Sequence, residues 1–349
     1  MANLSATEYR SLRSDSNVFS RIKNCVTVAA AVLLSVAFST PALAASDSVA
    51  TAQAAFTRGH ADEALRALNT AIVQNSGGAE AWNLRCQIYL AQHRWDDAVS
   101  SCKRAVQLAP GSSMDHLWLG RAYGEKASRA SIFAAYGLAR LTHEEFETAV
   151  ALDGRNPQAL SDLGEYYVDA PGFLGGSYRK AAELADRLDS IDRVRAFELR
   201  AIIAESQKDY ATAEQNLRAK IVAAQSSPQT EAQAWMDLGS FYRRRGRWND
   251  MLTALKNGAA IDTEHGPALV DGASTLIKAG REPQLAALWL RQYLEGKAQS
   301  AAAPAFAVHT QLGKLLRQQG DISGANREFA AANALSANYV AQAASSSGE

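Results

Sequence analysis

Residues 79–110 read AEAWNLRCQIYLAQHRWDDAVSSCKRAVQLAP, and no other stretch restricts the fold as much. Trp82, Cys86 and Tyr89 recur at i, i+4 and i+7, the spacing of one helical stripe. Ala98, Cys102 and Ala105 repeat it, flanked by Val99, Val106 and Leu108. His93-Arg94 breaks the two runs apart, and Pro110-Gly111 ends the second. Two helices this short cannot bury their stripes alone. They must pair, and the pair must stack on a neighbour.

The rest of the chain supplies the neighbours. Trp82, Tyr89 and Trp95 are large; Cys86, Ala98 and Ala105 are small where two helices must approach; Pro110 closes the unit. In these positions the stretch resembles a tetratricopeptide repeat, a helix–turn–helix of roughly 34 residues. Arg85 departs from the family pattern, which places Leu there; Leu84 sits one step earlier. Further units open near residues 45, 113, 157, 194, 232, 266 and 306. The sixth carries Trp235, Leu238, Gly239, Tyr242, Gly246 and Trp248; the eighth carries Leu312, Gly313, Leu316, Gly320, Ala325 and Phe329. The resemblance implies an all-α, right-handed superhelical solenoid of about eight hairpins with no strand. Each repeat should touch only its neighbours, and the first, rich in Ala and Ser, should act as a terminal cap.

Two adjacent repeats are stretched. In the third, EKASRASIFAAYGLAR precedes the second-helix marks Phe146 and Ala149. It holds no Pro and is made of helix formers, so longer helices are expected rather than a loop. In the fourth, residues 169–176 (DAPGFLGG) should not be helical, given Pro171 and three glycines. Equivalent positions of a solenoid share an edge, so the two insertions should meet and gather Ile132, Phe133, Tyr136, Tyr166, Phe173 and Leu174.

The N-terminus reads as a leader. Arg21 and Lys23 flank an apolar run from Val26 to Ser39, too short for a comfortable membrane span, and residues 41–44 (PALA) offer a cleavage site after Ala44. The expected location is therefore the periplasm, without stable membrane insertion of the mature chain. Residues 340–349, small and polar, are expected to be disordered. Formal net charge over the 349 residues is +0, and removing residues 1–44 leaves it near neutral, which gives no warrant for a nucleic-acid partner.

Cys86 and Cys102 are equidistant from the turn near Arg94, so antiparallel pairing brings them level. Export favours a disulfide; two reduced core cysteines at small-residue positions also fit. No catalytic constellation emerges. None of the 6 histidines has another at i+4, and His143-Glu144 begins like a zinc-protease helix but meets Glu147 instead of the second ligand. His116 and His309 fall on core stripes. The glycines of 172–176 lack the Gly-Lys-Ser/Thr of a phosphate loop. No enzyme, cofactor or metal is expected.

By the resemblance, first helices line a concave groove that holds a peptide. That register places Asn83, Gln87, Arg121, Glu125, Asp162, Glu165, Glu198, Glu205, Asp237, Arg243, Lys314 and Arg317 on it, acidic in the middle and basic toward the C-terminus. The expected contact residues are Arg121, Glu125, Phe133, Tyr136, Glu165, Tyr166, Phe173, Leu174, Arg243 and Arg244. The expected function is a scaffold or adaptor that binds a protein or peptide in the groove and along the inserted edge. The alternatives are an accessory subunit of an envelope secretion, polysaccharide-export or transport assembly, and an enzyme with an unrecognised pocket.

Overall fold

The computed structural model describes residues 41–74 and 78–339. The expected leader up to Thr40 and the expected tail 340–349 lie outside these residues. The described residues form eight antiparallel helical hairpins and no strand. In order they are α1 (Pro41–Thr57) and α2 (Ala61–Val73), α3 (Gly78–Ala91) and α4 (Trp95–Leu108), α5 (Ser113–Ala127) and α6 (Ile132–Leu152), and α7 (Pro157–Asp169) and α8 (Tyr178–Asp189). Then follow α9 (Arg193–Ser206) and α10 (Tyr210–Ala224), α11 (Pro228–Arg244) and α12 (Trp248–Ile261), α13 (Pro267–Ala279) and α14 (Pro283–Glu295), and α15 (Ala305–Gln318) and α16 (Ile322–Leu335). Helix α1 begins ahead of the expected cleavage point after Ala44.

Local chemistry sets the helix ends. Asn156 accepts from the backbone N–H groups of Gln158 and Ala159, Ser112 from Asp115, and Asp321 from Gly324. Such caps satisfy donors that have no intrahelical partner. Pro157, Pro228, Pro267 and Pro283 sit in the first turns of α7, α11, α13 and α14, where no N–H is needed. Within hairpins, small residues admit large ones. A Cβ on Gly120 would lie 2.5 Å from Phe146, and one on Gly313 would lie 2.8 Å from Phe329. At the Arg85 departure, Leu84 takes the core position while Arg85 lies across the rings of Trp82 and Tyr89, 5.1 and 5.3 Å from their centroids.

The third repeat is lengthened within α6, which runs 21 residues. The fourth is lengthened by a loop, and here the expectation of no helix needs correction. Residues Gly172–Leu174 form one 3-10 turn, started by Pro171 and ended by Gly175 at φ 94°.

The larger correction concerns the ends. A line of repeats was expected, each touching only its neighbours and capped at residue 45. Instead the last hairpin packs on the first two. Phe306 of α15 is fully buried in the same apolar cluster as Phe56, Leu68 and Tyr89, with Leu335 and Tyr339 against it. The Gln92 Nε2 donates to Ser336 Oγ at 2.9 Å, and both residues are fully buried. The backbone N–H of Ala337 donates to Asp62 Oδ2 at 3.0 Å. Gly59, at φ 78°, presses on the start of α15: a Cβ there would fall 2.4 Å from the Ala305 nitrogen. The hairpins therefore close into a ring, with a seam between the first two and the eighth. Helix α1 is a seam element rather than a polar cap, because Ala52, Ala55 and Phe56 have a partner to bury against.

Candidate functional site

The inner face of the ring bounds an open-sided cavity of about 1030 Å³. First helices supply most of its wall: Trp118, Arg121 and Glu125 from α5, Asp162, Glu165, Tyr166 and Asp169 from α7, Arg195 and Glu198 from α9, Gln233 and Asp237 from α11, and Asp271 from α13. The spacing within α5 and α7 is three or four, so each set occupies one helix face. Phe133, Tyr136, Phe146 of α6 and Phe173 and Leu174 of the loop complete one side, and residues 300, 302 and 303 before α15 complete the other.

The wall is electrically organised. Arg121 grips Asp162 through two bonds, Nε at 2.6 Å and Nη2 at 3.2 Å, while its guanidinium lies 4.5 Å from the Trp118 ring. Lys220, almost fully buried at the end of α10, reaches Asp237 at 2.5 Å and Glu198 at 2.9 Å. Gln233 extends this network to Asp237 and, at 2.7 Å, to Asp271. Arg195 pairs with Asp192 at 3.2 Å. A buried lysine is tolerable only with such compensation, so these contacts fix the wall as much as they charge it.

The two insertions meet here. The rings of Tyr136 and Phe173 stack at 6.4 Å. The Tyr166 hydroxyl donates to the carbonyl of Leu174 at 2.9 Å, tying the loop to α7. The His143 ring stacks on Tyr166 at 4.9 Å, and Gly175 passes so close that a Cβ would lie 2.9 Å from His143 Cε1. Tyr167 donates to Glu147 at 2.9 Å, and His143 reaches the same carboxylate at 3.1 Å. Burial, then the Glu147 charge, pushes the Tyr166 hydroxyl up to about 12, so it remains a donor at any physiological pH. This braced base carries an uncovered apolar lip, because Phe133 and Phe173 are 91% and 76% exposed.

Of the residues named from sequence, Arg121, Glu125, Phe133, Tyr136, Glu165, Tyr166, Phe173 and Leu174 all stand on this wall. Arg243 and Arg244 do not. Arg244 instead clasps Glu205 through two bonds of 2.7 Å, and Arg243 shares the last turn of α11 with it. Asn83 and Gln87 line a separate hollow of about 320 Å³ beside Met114 and Asp115. Lys314 and Arg317 are also off the cavity wall; Arg317 lies over Phe329 at 4.7 Å. The groove's basic C-terminal half is thus absent from the cavity, with Arg244 held by Glu205 and Arg317 laid over Phe329. Sequence reasoning missed His143 as a brace and Lys220 as a wall residue. Lys220 sits on a second helix, and only its isolation in the apolar stretch KIVAA could have flagged it.

Cys86 of α3 and Cys102 of α4 are joined, with Cα atoms 5.3 Å apart, and lie fully buried between the two helices. His116 is bonded to Glu145 and His309 to Glu328, each at 2.6 Å. Among the described residues no group of three or more His, Cys, Asp or Glu is placed to hold a metal ion, and no helix is long and apolar enough to cross a membrane. The cavity offers charge, hydrogen bonds and aromatic surface, which is the chemistry of non-covalent holding.

Residues 49–113 match the tetratricopeptide repeat family model. No curated protein matches the chain at a significant level. Solved structures with a similar arrangement include a tetratricopeptide repeat protein from Thermus thermophilus, at 17% identity and TM-score 0.45 over 60% of this chain and 99% of that one. Another is a tetratricopeptide repeat protein from Parabacteroides merdae, at 14% identity and TM-score 0.45 over 79% of this chain and 98% of that one.

Proposed function

We propose that this chain, whose residues 49–113 match the tetratricopeptide repeat family model, is a periplasmic scaffold that takes a segment of a partner protein into its central cavity, against the lip formed by the third and fourth repeats. Protein–protein interaction is the general task of such repeats; the cavity and the lip are what make the reading specific. The observation that carries it is the convergence of the two insertions on one cavity wall, with two aromatic side chains left uncovered. Insertions in repeat proteins map to one face, often the binding face. The Cys86–Cys102 bond supports an exported location, since disulfides persist in oxidising compartments. The apolar run before Pro41 supports it too.

Site-specific photo-crosslinking tests this. A photoreactive residue replaces Phe173 or Tyr136 on the cavity wall, or Val222, which is exposed but off the wall. The expected result is the same discrete adduct from both cavity positions and none from position 222. Adducts only from position 222, or none at all in the native envelope, would defeat the reading.

A further inference from the structure

The charge of the cavity has one sign. Its wall carries the carboxylates of residues 125, 162, 165, 169, 192, 198, 237 and 271 against the cations of 121, 195 and 220. Formal charge is therefore −5 from 8 carboxylates and 3 cations. The whole chain is at +0, so the excess is local. It is also uneven. Each wall cation already has a wall carboxylate within 3.2 Å. A cleft with surplus negative charge on its walls raises the local concentration of cations.

Asp169 marks where that surplus meets the lip. It ends α7, next to the loop that carries Phe173. Beside it the rings of Tyr136 and Phe173 lie stacked and uncovered. A free inorganic cation or a small polyamine would satisfy the carboxylates and leave these rings wet. A purely apolar segment would cover the rings and desolvate the carboxylates at a cost. Only an occupant with both features satisfies the carboxylates and covers the rings, and the cavity, at about 1030 Å³, lies at the top of the range that small-molecule sites occupy.

Resting on the scaffold reading above, we propose that the partner segment is an extended basic peptide that also carries aromatic or large apolar side chains. The cations face Asp169 and the neighbouring carboxylates of α5 and α7, and the apolar side chains cover Phe133 and Phe173.

The probe is a fluorescein-labelled octapeptide of alternating Arg and Phe, compared by anisotropy with alternating Glu and Phe and with alternating Arg and Ser. The full disulfide-bonded protein is used. The Arg/Phe peptide is expected to bind about tenfold or more tightly than either control, and less tightly as salt rises. Asp169→Asn should weaken it severalfold, as should Phe133→Ala with Phe173→Ala. Val222→Ala and Arg179→Ala, off the wall, should leave it unchanged. Circular dichroism melts check that each variant is folded; a misfolded Asp169→Asn is replaced by Asp169→Ser. Equal binding of the Glu/Phe peptide, absence of Arg/Phe binding, or binding indifferent to the wall variants would overturn the proposal. If cavity crosslinks still form in that event, the scaffold reading stands and only the basic class of partner falls.

Discussion

The ring contains two clusters of aromatic side chains, and they are treated in opposite ways. At the seam, Phe56, Phe306 and Tyr339 are covered by the chain's own far end. At the lip, Phe133, Tyr136 and Phe173 are gathered by two insertions and then left open. The residue types are the same, so hydrophobicity alone does not separate them. The difference is whether the fold brings a complementary surface. Burial at the seam contributes to holding the ring together, while the exposed rings of the lip bury little surface of their own chain.

That contrast can be broken from either side. The largest effect is expected from Phe306→Ala, which removes a fully buried ring from the seam and should cost about 3–5 kcal/mol. The seam should part, raising the radius of gyration in small-angle scattering while helicity survives; an unchanged radius would show that closure does not depend on this ring. Next comes removal of the Cys86–Cys102 bond, which closes a loop across a separation of 16 residues. Chain entropy gives about 3 kcal/mol for such a loop, so the double Ala variant should melt well below the parent in calorimetry and still bind at the lip. Gln92→Ala leaves Ser336 Oγ without that donor in a dry place, and a loss of about 1–3 kcal/mol is expected in denaturant titration.

Acid should also loosen the seam. His93 stacks on Trp95 and meets Tyr339 edge-on, and loss of water, then the charges of Arg129 and Lys314, lower its pKa to about 4. Above the ordinary imidazole value of about 6.5 neither the closed nor the opened form binds the proton, so closure is intact. As pH falls from there toward about 4, the opened form takes a proton that the closed form resists, and opening is favoured. His93→Gln should flatten that dependence, measured as the pH profile of the scattering radius. The smallest effect on stability is expected at the lip: Phe133→Ala with Phe173→Ala should stay within about 0.5 kcal/mol of the parent, because both rings are already exposed. A large drop would mean that the lip is structural.

Much of this was readable from local spacing. The hairpins, their small–large contacts such as Gly120 with Phe146, and the level cysteines all follow from periods of three and four and from the distance to a turn. The meeting of the two insertions follows from repeat geometry, which puts equivalent positions on one edge. Closure was not readable. Gln92 and Ser336 lie 244 residues apart, and Asp62 and Ala337 lie 275 apart. No periodicity encodes a contact at that range; it emerges from small rotations summed over eight hairpins. Arg243 and Arg244 mislead for a related reason. A basic run looks available until the fold supplies Glu205 from the preceding hairpin.

The seam also changes how the molecule can vary and unfold. An open array of hairpins can lengthen or shorten by one unit, and its outermost units fray first. A loop whose terminal units brace each other has no outermost unit. Its count of hairpins is fixed by the angle that must sum to a full circuit, as in a propeller, and inserting or deleting one hairpin should break the circuit rather than extend it. Hydrogen exchange should correspondingly find the first and eighth hairpins as slow as the fifth.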